Sequence, residues 1–229
     1  MSTGSTNTDL ADEARAGDRS AAVLVTDHQT AGRGRLDRVW EDTAAGGQLL
    51  VSLRLPIGDG AAGGVGPAVA VATQATLEAA GVAARIKWPN DLGVVRPGGS
   101  FAKLAGYLGE VIDAPAPLVV VGMGLNVADT PVPGATCVVD EGATLDRDGI
   151  LAGILERLPA LLVDPEAVRA GLVNRSATLG SRVRVERADG VLTGTAVALD
   201  EAGRLLVDDG LRVHAVAVGD VIHLRSAGD

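Results

Sequence analysis

The hydrophobic pattern divides the chain into two stretches of different texture. Residues 7–19 open with Asn7 or Thr8 as a cap and carry Leu10, Ala11 and Ala14 on one face, predicting a short helix that ends at Gly17. The apolar run 21–27 predicts a buried strand, and 48–55 predicts another, stopped by Pro56. Residues 65–80 carry Ala and Val on most faces and predict a buried helix ended by Gly81. Four strand-like runs follow at 83–88, 91–95, 102–112 and 117–127. Ile150, Ile154, Leu158 and Leu161 then repeat at the spacing of an amphipathic helix over 149–162, with a second short helix expected over 165–173.

After Ser176 the period changes from helical to alternating. Val183 and Val185 interleave with Arg182, Arg184 and Glu186, the signature of a half-exposed strand. Turn signals at Ala188-Asp189-Gly190, Asp200-Glu201-Ala202-Gly203, Asp208-Asp209-Gly210 and Gly219-Asp220 separate short Val/Leu runs, as in a small β-barrel. The expected organisation is therefore 1–176 and 177–229. The second unit, about 53 residues with five strands, is too small to be robust alone and is expected to dock on the first.

Composition changes this picture in one respect. Of the 20 basic residues all but Lys87 and Lys103 are arginines, and the aromatic set is Trp40, Trp88, Phe101 and Tyr107. In a chain so biased, the positions that keep Lys and Trp are informative. The same counts exclude whole classes. Neither lysine sits in a Walker A loop, and one cysteine, Cys137, allows neither a disulfide framework nor a multi-cysteine zinc site. His28, His214 and His223 are too scattered for a zinc helix, and no G-x-S-x-G elbow occurs. A net charge of −9 argues against general nucleic-acid affinity, and no long uninterrupted apolar run predicts a membrane span. The start lacks a signal-peptide pattern, so a cytoplasmic location is expected.

Four segments carry candidate chemistry. Residues 28–47 are polar and rich in Arg and Gly and predict a long loop, either functional or disordered. Within it, Gln29-Thr30-Ala31-Gly32-Arg33-Gly34-Arg35 and Arg38 combine glycines that admit an anion to the backbone with forked guanidinium donors, and Trp40 closes it. Lys87-Trp88-Pro89-Asn90-Asp91 sets a lysine and a tryptophan side by side at a turn between two strands. Lys103-Leu104-Ala105-Gly106 puts the other lysine in a strand with small neighbours, which marks either a ligand approach or a glycine-tolerant edge strand. Gly122-Met123-Gly124-Leu125-Asn126-Val127 superficially suggests a dinucleotide loop, but its third glycine position is Val127 and no helix pattern follows. A strand ending beside a ligand fits it better. Ser5-Thr6-Asn7 alone reads as a helix cap.

Jointly, in this order and over almost the whole chain, these segments resemble the biotin–protein ligases. The resemblance implies an α+β fold: a catalytic domain like that of class II aminoacyl-tRNA synthetases, with a mixed, mainly antiparallel sheet flanked by helices, then an SH3-like barrel. It implies ATP-dependent activation of biotin to biotinoyl-AMP, then transfer to a lysine of a biotin carboxyl carrier protein or domain. ATP and Mg²⁺ enter as co-substrates, with no tightly bound cofactor or structural metal. Lys103, Arg33, Arg35 and Asp91 carry the catalytic roles by resemblance, Asp91 either binding magnesium indirectly or deprotonating the incoming lysine. Ser5, Thr6, Asn7, Gln29, Gly32, Gly34, Gly106 and Gly122 join Arg33, Arg35 and Lys103 around biotin. Trp40, Lys87, Asn90 and Asn126 join the same three cations around the adenylate.

The chain departs from the family pattern in three places. Position 37 is Asp where the family commonly has Gly, which lowers positive charge beside three arginines. Only Met1 to Gly4 precede Ser5-Thr6-Asn7, so the start is truncated or the sheet lacks a leading strand. No helix-turn-helix segment precedes the catalytic segments, so a ligase without repressor function is expected, as a monomer or weak homodimer with no nucleic-acid or membrane partner. Two other readings remain: a lipoate- or octanoate-type ligase or transferase of the same fold, which the Lys87–Asp91 segment opposes, and a non-catalytic biotin sensor, which Lys103 and Arg33 oppose.

Overall fold

The computed structural model describes residues 1–36, 38–43, 46–56, 64–112, 118–187, 190–217 and 220–223. Asp37, the Ala188-Asp189 turn and Gly219 lie outside the described residues. Among the described residues, the first three-quarters of the chain builds a two-stranded sheet, a six-stranded sheet and four helices. β1 (Ser2–Thr3) leads into α1 (Thr6–Arg15), β2 (Ala22–Thr26) and β3 (His28–Gln29), and β3 pairs back on β1 in parallel. β4 (Gln48–Pro56), α2 (Val65–Ala79), β5 (Arg85–Lys87), β6 (Asp91–Val95), β7 (Phe101–Ile112) and β8 (Leu118–Asn126) follow, then α3 (Arg147–Leu162) and α4 (Pro165–Asn174). The large sheet has the order β2-β4-β8-β7-β6-β5, with every neighbouring pair antiparallel.

Two expectations are sharpened here and one is corrected. The expected mixed, mainly antiparallel character is divided: every neighbouring pair in the large sheet is antiparallel, and the parallel pairings are the small β1–β3 sheet and an isolated Ile86–Ser176 bridge. The segment ahead of Ser5 is itself a strand, although it joins the small sheet and not the large one. The run at 21–27 reads as a buried strand, yet β2 is the sheet edge and Val23 is 44% exposed. A continuous apolar run cannot distinguish edge from centre, because both faces of an edge strand can still be covered.

Strand alternation decides which face does what. Leu49, Val51 and Leu53 of β4 and Val119, Val121, Met123 and Leu125 of β8 enter the main core under α2, α3 and α4. The residues between them face the other way. There Leu118, Val120 and Ile112 are covered by Leu10, Ala11 and Ala14 of α1. Further along the same face the side chains shrink to Gly122 and Gly124 on β8, opposite Leu108 and Gly106 on β7. Helix cover thus gives way to a glycine floor.

The alternating stretch after Ser176 forms strands. β9 (Arg182–Arg187), β10 (Gly190–Leu199), β11 (Leu205–Asp208), β12 (Val213–Val216) and β13 (Asp220–His223) form a five-stranded antiparallel sheet in the order β12-β11-β10-β9-β13. Its own core gathers Val183, Val185, Leu192, Ala196, Leu205, Val207, Val216 and Val221, and Trp88 packs against that cluster. The Trp88 indole N–H donates to the Gly203 carbonyl at 3.1 Å, and its backbone N–H donates to Thr178 Oγ1 at 3.0 Å. Trp88 is therefore the peg between the two sheets. Sequence placed both tryptophans in ligand motifs, and Trp88 both borders the cleft described below and docks the second sheet.

Candidate active site

A cleft of about 330 Å³ lies on the glycine floor, between the N-terminus of α1, the Arg/Gly loop and the second sheet. Its shape follows from side-chain size. At Gly124 a Cβ would come within 2.3 Å of Trp40 Cε2, and at Gly106 within 3.1 Å of Trp40 Cζ3 and 3.0 Å of Lys103 Nζ. Only glycine lets the indole lie this close to the strands.

One register irregularity brings Lys103 onto this floor. Leu92 pairs with Ala105 but Gly93 pairs with Lys103, so Leu104 is an extra residue on β7. A bulge shifts strand parity by one. Leu104, Ala105 and Tyr107 therefore face the main core, while Lys103 and Gly106 both face the cleft. Lys103 Nζ lies 2.6 Å from Asp91 Oδ1 and 5.6 Å from the centroid of the Trp40 ring. Lys87, at the end of β5, lies 5.3 Å from the Phe101 ring centroid.

The Arg/Gly loop is more ordered than a loop expectation implies. Arg33 and Val39 form an antiparallel bridge, Trp40 N–H donates to the Gly32 carbonyl at 3.0 Å, and Gly34 N–H donates to the Arg38 carbonyl at 2.7 Å. Residues 32–34 and 38–40 thus run side by side as two paired arms, with Leu36 at positive φ. Arg35 Nη1 donates to Asn90 Oδ1 at 3.1 Å, which itself is held by its Nδ2 donating to the Tyr107 carbonyl at 2.9 Å. Arg33 turns instead to Glu110 at 3.4 Å and Thr8 at 3.5 Å, half exposed.

The opposite end of the cleft is neutral and polar. Ser5 caps α1, and Thr6 accepts and donates in a knot with Gln29 Oε1 and Ser52 Oγ. Asn7 is 4% exposed, lines the cleft, and neither atom of its amide has a hydrogen-bond partner in the protein. Gly122 makes the room for it, since a Cβ there would sit 2.9 Å from Asn7 Oδ1. A buried amide lacking both partners costs free energy, which a ligand offering a donor and an acceptor recovers. The N-terminus of α1 adds partial positive charge at the same end.

Among the residues singled out from sequence, Ser5, Thr6, Asn7, Gln29, Arg33, Gly34, Arg35, Trp40, Lys87, Asn90, Asp91, Lys103, Gly106 and Gly122 line this one cleft. Gly32 and Asn126 do not. Gly32 supports the paired arms, with a Cβ position 2.8 Å from the Trp40 carbonyl oxygen. Asn126 is buried behind Trp40, bonded to Gln48 and to the Thr136 carbonyl. Gly106, expected to make room for a ligand ring, makes room for Trp40 and Lys103. Residues that the sequence reading missed include Ser52, Gly124, Glu186 and Val221. Gly124 was in view, as the second glycine of the Gly122–Val127 segment. Glu186 and Val221 carry no local signal, because they arrive from the second sheet. Tyr107 also borders the cleft, and burial pushes its phenol up, so it stays protonated and cannot serve as a base. The nearby Thr73 hydroxyl offsets only part of that shift, and the Tyr107 hydroxyl makes no hydrogen bond of good geometry.

The chain is similar to known proteins over most of its length. Residues 2–126 match the profile of the Biotin/lipoate A/B protein ligase family, and residues 178–224 match the Biotin protein ligase C terminal domain. The chain is 40% identical to the biotin–[acetyl-CoA-carboxylase] ligase of Mycobacterium tuberculosis, over 97% of this chain and 87% of that protein. It is 31% identical to the bifunctional ligase/repressor BirA of Escherichia coli, over 91% of this chain and 68% of that one. A biotin protein ligase from Aquifex aeolicus, solved in complex with biotin and ATP, superposes with a TM-score of 0.77 at 26% identity, covering 98% of this chain and 97% of that one.

Proposed function

The chain belongs to the biotin/lipoate A/B protein ligase family, and on that premise we propose that this cleft performs both half-reactions of a biotin–protein ligase. The enzyme activates biotin with ATP and transfers it to a lysine of a biotin carboxyl carrier domain. The observation that carries the assignment to this cleft is its chemical polarity: a neutral, hydrogen-bonding end at Asn7 and a cationic end at Lys103. Biotin has the matching polarity, with a ureido group at one end and a carboxylate at the other.

In the first step a biotin carboxylate oxygen attacks the α-phosphorus of ATP and the bond to the β-phosphate oxygen breaks, releasing pyrophosphate. Two anions must meet, so the proteins' cations must already be fixed where charge accumulates. Lys103 supplies a compact charge held by the sheet, and Arg33 and Arg35 supply forked donors from the Arg/Gly loop. Asn7, with Ser5, Thr6 and Gln29, hydrogen-bonds the ureido group. Trp40 covers the adenine and Asn90 fixes Arg35 beside the phosphate. In the second step the carrier lysine nitrogen attacks the acyl carbon, AMP leaves, and Asp91 receives the proton. Magnesium arrives with ATP, and Asp91 and Glu186 are the carboxylates bordering the cleft that suit its preference for one or two carboxylates beside phosphate oxygens.

The division into 1–176 and 177–229, the absence of a nucleic-acid partner suggested by a net charge of −9, and a cytoplasmic monomer or weak homodimer belong to the same proposal. Among the described residues, no helix is long and apolar enough to cross a membrane. ATP–pyrophosphate exchange is the direct assay. Exchange should depend on biotin and not on lipoate. Lipoate-dependent exchange would make this a lipoate-type ligase, and none with either acid would make it a sensor.

The Arg/Gly loop yields a second expectation. Biotinoyl-AMP hydrolyses if water reaches it, so residues 32–40 should close over it. Trypsin cleavage after Arg33, Arg35 and Arg38 should slow by about tenfold or more once biotin and ATP are both added, as local opening is suppressed by ligand. Equal cleavage with and without substrates would exclude a closing role.

A further inference from the structure

We propose that Gln48, held by Asn126, is a positioning residue that sets the orientation of the Trp40 indole. The inference rests on the reading that Trp40 faces the adenine, and goes on to what holds Trp40 there. Gln48 and Asn126 are directly opposite one another on β4 and β8, on the cleft face, and are 2% and 3% exposed. The hydrogen bonds between them run in one direction only. The Thr136 carbonyl can only accept, so Asn126 must present Nδ2 to it, at 3.1 Å. That leaves Asn126 Oδ1 to accept from Gln48 Nε2 at 2.8 Å. Gln48 must then point Oε1 at the indole, where Trp40 Nε1–H donates at 3.4 Å. The Thr136 carbonyl, together with the Glu41 carbonyl that accepts from Gln48 Nε2 at 3.4 Å, thus dictates the flip of two buried amides and, through them, which edge of the indole faces the strands.

The far end of this relay is tied to the catalytic cation. Thr136 N–H donates to the Lys103 carbonyl at 3.0 Å. The relay therefore fixes the ring plane relative to Lys103, the group placed at the reacting phosphate. Removing Gln48 leaves the glycine floor and the ring in place but releases the N–H edge, so the indole can rotate over Gly124. The nucleotide should bind less well while the biotin end is untouched.

A double-mutant cycle on pyrophosphate exchange tests this. Gln48→Met and Trp40→Phe should each raise KM for ATP by about fivefold, the worth of a typical hydrogen bond, with KM for biotin within about twofold of the parent. Because both act through the same indole N–H, the double variant should be no worse than either single one. Multiplicative effects, or equal rises in the KM values for biotin and ATP, would make Gln48 a structural residue and overturn the proposal. Trp40→Ala separates the two layers. If it leaves KM for ATP unchanged, the adenine reading fails; if it raises KM but Gln48→Met does not, the positioning inference fails. Should Gln48→Met not fold, Gln48→Asn, which withdraws the amide from the indole, takes its place in the same cycle.

Discussion

Replacing Lys103 by Met is expected to lower biotin-dependent ATP–pyrophosphate exchange by about 100- to 1,000-fold, the range seen when one fixed electrostatic group is removed from a transition state. Met matches the length of the side chain and keeps its packing, so the loss isolates the charge. Lys103→Arg is the sharper variant. It keeps the charge but replaces a point donor with a planar fork. The ammonium sits 2.6 Å from Asp91 Oδ1 and 5.6 Å from the centroid of the Trp40 ring. A guanidinium there would meet the Asp91 carboxylate and the indole as a flat fork and not as a point charge. The arginine variant should therefore recover less than about a tenth of the parent rate. Exchange by Lys103→Met within tenfold of the parent, or by Lys103→Arg at the parent rate, would remove Lys103 from the chemistry. Transfer from preformed biotinoyl-AMP, measured on the same variants, distinguishes a role in activation from one in transfer.

That Lys103 could be singled out from sequence has a physical basis. In a chain that writes nearly every other basic residue as Arg, a retained Lys marks a place where a compact point charge serves better than a fork, and Nζ makes a single close contact there, with Asp91 Oδ1 at 2.6 Å. Lys87 and Trp40 follow the same logic, since each sits in the same cleft. Helices and strands were legible wherever the pattern was regular: the stripe at Ile150, Ile154 and Leu158 is buried as its period requires. What was not legible depends on pairing across the chain. Gln48 at the head of a strand looks like an ordinary polar boundary residue, and only register against Asn126 makes it part of a relay. The bulge at Leu104 cannot be read locally, because parity has meaning only against the partner strand. Trp88 stands in a ligand motif, but its indole partner is Gly203 in the second sheet. Glu186 reads as the polar side of an alternating strand and becomes a cleft residue only after docking.

Arg54 gives the same lesson about stability, and the largest effect expected away from the cleft. It interrupts the apolar strand β4, is 1% exposed, and faces α1. Its Nε donates to the Ser20 carbonyl at 2.8 Å, Nη1 to Glu13 at 3.0 Å, and Nη2 to Asp18 at 2.5 Å and Ser20 Oγ at 3.2 Å. One guanidinium thereby ties the end of α1 and the turn into β2 onto the large sheet. Arg54→Ala should cost about 3 kcal/mol, from a cavity along the lost stem and orphaned acceptors together. For a protein of this size that lowers Tm by about 6–12 °C. Arg54→Leu refills the cavity, and Glu13 and Asp18, each about half exposed, can rehydrate. It should therefore lose about half as much. The acid limb should move as well. The Ser20 backbone N–H, then the Ser20 hydroxyl and Arg54, hold the Asp18 carboxyl down at about 2. A carboxyl depressed on folding stabilises the native state above its unfolded value and loses that contribution as pH falls through its folded one. Without Arg54 the folded value rises toward the unfolded one. The difference in urea midpoint between parent and Arg54→Leu should then narrow as pH is lowered from 5 toward about 2, where the parent's contribution is itself being titrated away. A constant difference across that range would mean that Arg54 acts by packing alone and not through Asp18.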